Sequence, residues 1–97
     1  MFNSISKLFV NNDKRIIDDL ACKIQNQIHN LHLKEPNNEI FDQEGILNGY
    51  SIVKEYIDEG EYAIAIEHLL YMVYESDISY STGIIEELNK LVSKYKF

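Results

Sequence analysis

Residues 61–75, EYAIAIEHLLYMVYE, carry more apolar surface than one face of a helix can hold. An amphipathic surface helix keeps a polar face for water, so a run like this must be enclosed by other elements on several sides. Strand is the competing reading of YAIAI. Its alternate positions are alanine rather than polar, and the run outlasts an ordinary strand. The segment therefore predicts a helix at the centre of a helical fold. On a helical wheel Tyr62, Ile66, Leu69 and Val73 share one face, flanked by Ala65, Leu70 and Met72. Glu67, Tyr71 and Glu75 recur at i, i+4 and i+8 on the opposite face, with Ile64, His68 and Tyr74 beside them. Two readings of this second face stand. Either neighbouring elements cover it too, or it is kept for docking, since tyrosine is enriched at interfaces and tolerates partial wetting. Both hold together if Ile64 and Tyr74 are buried and Tyr71 is not.

The remaining chain supplies further helices and no convincing strand. Asn12 or Asp13 suits the N-cap of a long helix, accepting from free backbone N–H groups. Ile16, Leu20, Ile24 and Ile28 recur there every four residues, widened by Ile17, Ala21 and Leu31. Pro36 stops this helix, because a residue before proline is pushed out of the helical region. A turn or short helix over 4–10 precedes it, offering Ile5, Leu8 and Phe9 to the core. Residues 37–45 form a loop anchored by Ile40 and Phe41. A second helix runs from about 45 to 59 with Ile46, Tyr50, Val53 and Ile57 on one face, and Gly60 suits its left-handed C-cap. The connection at Gly60 is so short that the second and third helices must be neighbours. After a turn at DISYST, Ser81 or Thr82 caps a fourth helix bearing Ile84, Leu88, Leu91 and Tyr95. Lys90, Lys94 and Lys96 suit its C-terminal dipole. The expected fold is all-α, a small antiparallel bundle of about four helices forming a single domain over 1–97.

Charge narrows the partners. The formal net charge is -7, and residues 37–87 hold a single cation, Lys54, against twelve carboxylates. Nucleic acid is excluded as a direct ligand on that ground, while a basic protein partner is favoured. Cys22 is the only cysteine, so no internal disulfide is expected. Its place beside the core stripe suggests a buried, inert thiol. With no signal-like pattern in MFNSISKLFVNNDKR, a reducing, cytoplasmic setting is expected. No run approaches the roughly 18 apolar residues of a membrane span.

Catalytic chemistry is not visible. His29 and His32 sit at i, i+3 without a third ligand, and His68 beside Glu67 reads as a surface histidine. Asp58, Glu59 and Glu61 cluster at a helix junction but lack EF-hand spacing, so a solvated acidic corner is expected. There is no glycine-rich phosphate loop. The sequence assigns no catalytic, cofactor or metal residues and points to a non-enzyme.

The stretch IVKEYIDEGEYAIAIEHLLYMVYESDISYS, residues 52–81, resembles the MafI-type family of immunity proteins. The likeness runs through Ile57-Asp58, Glu61-Tyr62, Ala65-Ile66-Glu67, Leu69 or Leu70, and Tyr74-Glu75. It ends in the DIS turn of Asp77, Ile78 and Ser79, and covers about a third of the chain. Members are small helical proteins encoded beside polymorphic secreted toxins, including those of contact-dependent growth inhibition systems. The resemblance implies a protein that binds a cognate toxin domain in the cytoplasm and blocks it. Several such toxins are nucleases, some with an EndoU-type RNase fold, and an acidic protein can occupy a basic substrate groove. The candidate contacts are Glu55, Asp58 and Glu59 on the second helix, then Glu67, Tyr71, Glu75 and Asp77 on the third helix and its exit. An acidic helical adaptor for some other basic protein is the alternative reading. Homodimerisation through the third helix is also open.

Overall fold

A computed structural model describes residues 2–95, with side chains from Asn12 onward. Four α-helices and one 3-10 turn make up the regular structure, and no strand occurs among the described residues. The first helix, α1, runs unbroken from Phe2 to Lys34. Asn12 and Asp13 therefore do not begin a helix, contrary to the expected cap. No glycine or proline lies between residues 2 and 34 to interrupt the ladder. The Asp13 carboxylate is also already taken, accepting from Lys94 Nζ and the Tyr95 hydroxyl, each at 2.7 Å. Asn12 accepts from Arg15 instead, at 2.6 Å. The expected packing of Ile5, Leu8 and Phe9, and the placement of Lys96, lie outside the described residues.

α1 ends two residues before Pro36, as the proline requires. Asn38 then caps a 3-10 turn at Glu39–Asp42 by accepting from the Ile40 amide at 3.1 Å. Phe41 is half-buried and meets His32 edge-on at 4.6 Å between ring centroids. The second helix, α2, spans Gly49–Asp58, starting four residues later than its apolar pattern indicates. Gly45 has φ +85°, a left-handed conformation that turns the chain before Ile46 can enter a helix. Ile46 reaches the core from that turn and is fully buried. At the other end Gly60, with φ +78°, closes α2 as expected. Its N–H donates to the Ile57 carbonyl at 3.1 Å, and the Glu61 N–H donates to that of Tyr56 at 2.8 Å.

The third helix, α3, spans Tyr62–Ser76 and ends on Asp77 in the left-handed region. Ser76 is buried and shares a 2.6 Å hydrogen bond with the Tyr80 hydroxyl, fixing the following turn. Ser81 caps the fourth helix, α4, Thr82–Tyr95, by accepting from the Ile84 amide at 3.3 Å. The core combines Ile17, Leu20, Ile24 and Ile28 of α1 with Val53 and Ile57 of α2. Ala65, Ile66, Leu69 and Met72 of α3, and Ile84, Leu88 and Leu91 of α4, complete it. Each large aliphatic side chain so enclosed contributes about 1.5–3 kcal/mol of transfer free energy. α1 and α3 each pack against the other three helices, leaving α2 and α4 as the flanks. The greasy segment is thus the second of two central helices, covered on three sides and open on the fourth.

Candidate functional site

The acidic residues divide between two surfaces. Along the seam of α1 and α2, carboxylates meet cations of the same chain. Lys14 Nζ lies 3.1 Å from Asp58, and Lys54 lies 3.7 Å from Asp58 and 3.9 Å from Asp18. The hydrogen bond from Lys14, with the charge of Lys54, holds the Asp58 carboxyl below its ordinary pKa despite partial desolvation. The Tyr50 hydroxyl donates to Asp18 at 2.6 Å. That bond, with burial and the nearby negative charge, pushes the phenol up to about 12. Asp58 pairs across the seam yet stays exposed, as do Glu59 and Glu61, so the acidic corner is solvated as expected.

The irregular chain between the 3-10 turn and α2 is held by side chains from both central helices. Buried Gln25 of α1 donates to the Ile46 carbonyl at 3.1 Å and accepts from the Tyr50 amide at 2.7 Å. It thereby caps the N-terminus of α2 from outside, since Asn48 makes no side-chain cap. His29 Nε2 donates to the Leu47 carbonyl at 3.3 Å. From α3, His68 Nε2 donates to the Gly45 carbonyl at 2.9 Å, and the Tyr71 hydroxyl donates to that of Glu44 at 2.7 Å. The two rings stack in a tilted pair at 5.3 Å. His68 is accordingly half-buried rather than a free surface histidine. Tyr71, expected to be an open contact, is a half-buried strut. The expected division of this face is reversed: Tyr74 is 81% exposed and Ile64 40% exposed. Gln25 escaped the sequence reading, although its i+4 spacing from Ala21 and i-3 spacing from Ile28 placed an amide inside the core stripe.

Five of the seven candidate contacts remain on the open side. Glu55, Glu59, Glu67, Glu75 and Asp77 are exposed, and none joins an ion pair among the described residues. Ile64, Glu67, Tyr71, Tyr74 and Glu75 follow one another along one ridge of α3. Ile52 of α2 and His68 of α3 both flank Gly45, so that edge of α2 faces this ridge. Glu55 and Glu59 continue the line of Ile52 at i+3 and i+7. Glu55 and Glu59 thus share the edge of α2 that holds Ile52, while Glu67 and Glu75 share the ridge of α3, with Asp77 at its end.

The other features are structural. Asp13 lines an open cleft of about 280 Å³ between α1 and α4, beside Ile16, Leu91 and Lys94. Burial pushes its carboxyl up, but the hydrogen bonds from Lys94 and Tyr95 and the lysine charge outweigh that, leaving the pKa lowered. Cys22 is exposed, not buried, because it lies one position off the Ala21 stripe. Among the described residues, no group of three or more His, Cys, Asp or Glu side chains is arranged to hold a metal. No helix there is long and apolar enough to cross a membrane. Comparison with protein-family models, curated proteins and solved structures returns no match to this chain.

Proposed function

We propose that this chain is an immunity protein that binds a cognate secreted toxin domain and neutralises it by covering a basic surface. A nuclease, such as one of the EndoU-type RNase fold, is the class of toxin that fits best. The observation that carries this reading is the open side of α3, where exposed Glu67 and Glu75, with no cation partner among the described residues, flank exposed Tyr74. Opposite charge steers association and raises its rate, which a protective inhibitor requires. The likeness of residues 52–81 to MafI-type proteins supports the same reading.

The test is titration of the purified chain against the toxin domain encoded beside it. Stoichiometric inhibition with binding below micromolar concentration is expected, weakening as salt is raised. Neither inhibition nor binding at micromolar concentration would sink the proposal. A gene neighbourhood without a secreted toxin would favour the acidic adaptor instead.

A further inference from the structure

Two apolar side chains of this molecule are almost equally exposed, Leu33 at 82% and Tyr74 at 81%. Single exposed apolar residues are ordinary, so exposure alone decides nothing. Their surroundings differ. Leu33 ends α1 between His32 and Lys34. Tyr74 stands on the α3 ridge beside Glu75, one helical turn beyond Tyr71 and two beyond Glu67, with Ile64 further along. α3 contains no lysine or arginine, and neither Glu67 nor Glu75 has an ion-pair partner among the described residues. The Tyr74 hydroxyl makes no hydrogen bond there either. Its neighbour Tyr71 spends its hydroxyl on the Glu44 carbonyl, so it carries the ridge without being free to leave it.

Resting on the immunity reading, we infer that Tyr74 is the anchor of the toxin contact, with Glu67 and Glu75 as its charged rim and Ile64 extending the apolar contact. The complementary surface is an apolar slot on the toxin bordered by arginine or lysine. The ring inserts into the slot, a guanidinium or ammonium lies over its face, and the flanking carboxylates pair with the remaining cations. Tyrosine is among the residues enriched at binding hot spots, where the surrounding contacts exclude water. Nucleic acid does not fit this ridge, because phosphates would face the unpaired glutamates.

The probe is the toxin domain encoded beside this chain, titrated by calorimetry against three variants, each checked by its thermal melt. Tyr74→Ala is expected to weaken binding roughly thirtyfold or more, as removal of a central aromatic does. Glu67→Lys with Glu75→Lys is expected to weaken it at least as much and to flatten its salt dependence. Leu33→Ala, exposed elsewhere, is expected to bind within about twofold of wild type. Wild-type binding with Tyr74→Ala and the charge reversal equally tight would overturn the anchor while leaving immunity standing. No binding by the wild type would overturn immunity itself, and the anchor with it.

Discussion

The α1–α2 seam and the α3 ridge are built from the same residue types and put them to opposite uses. At the seam, Asp18 and Asp58 meet Lys14, Lys54 and the Tyr50 hydroxyl at hydrogen-bond or ion-pair distance. On the ridge, Glu67 and Glu75 flank Tyr74 with no such partner among the described residues. One surface satisfies its charges internally; on the other they meet no cation among the described residues. The lesson is that an acidic composition does not locate a contact. Availability does, and it depends on where the few cations of the chain fall.

The sharpest way to test this division is to cut the network on the inner side. Gln25→Ala strands the Ile46 carbonyl and the Tyr50 amide, and it should destabilise the fold by about 2–3 kcal/mol. Chemical denaturation of the variant measures this, with a melting temperature lower by roughly 10 °C or more. Binding by the surviving folded fraction should be unchanged, because Gln25 is buried away from the ridge.

A smaller effect is expected at Asp13, read through pH. Its folded pKa is lowered, so its stabilisation is present above the unfolded value near 3.9 and is lost as pH falls through the folded value. Melting temperature followed from pH 7 to about pH 2 should therefore drop less steeply for Asp13→Asn than for wild type, a difference of about 1 kcal/mol. Parallel curves would remove the carboxylate from the α1–α4 contact.

Tyr50 works in the opposite direction. Its folded pKa is raised to about 12, so the stabilisation from its bond to Asp18 is present below pH 10 and lost as pH rises through about 12. Tyr50→Phe should lose about 1 kcal/mol at neutral pH and show a weaker alkaline loss than wild type. The smallest effect belongs to the ridge. Glu67→Gln with Glu75→Gln should leave stability within about 0.5 kcal/mol of wild type. A loss as large as that of Gln25→Ala would make the ridge structural and erase the contrast.

Much of the bundle was legible beforehand. The four-residue recurrence from Ile16 to Ile28 matches side chains that are buried, apart from half-buried Ile16. Gly60, Ser81 and Pro36 mark ends where backbone geometry leaves few alternatives. What misled were residues whose local role yields to a distant partner. Asp13 has a good capping side chain, but Lys94 and Tyr95 claim it from the far end of the chain. The start of α2 reads as Gly45 from its apolar spacing, while Gln25, twenty-one residues before Ile46, sets the actual turn. Tyr71 and Tyr74 are indistinguishable as residue types, and only the Glu44 carbonyl separates strut from exposed ring.

By itself the sequence determined the fold class, the helix ends set by glycine, proline and serine, and the acidic character of the middle of the chain. These follow from short-range sterics, hydrophobic periodicity and formal charge, all of which act along the chain. Only the tertiary structure decided which acids meet a lysine, which carbonyl the Tyr71 hydroxyl reaches and where α2 begins. Each of those depends on atoms brought within about 3 Å from distant positions, a distance that no spacing in the sequence encodes.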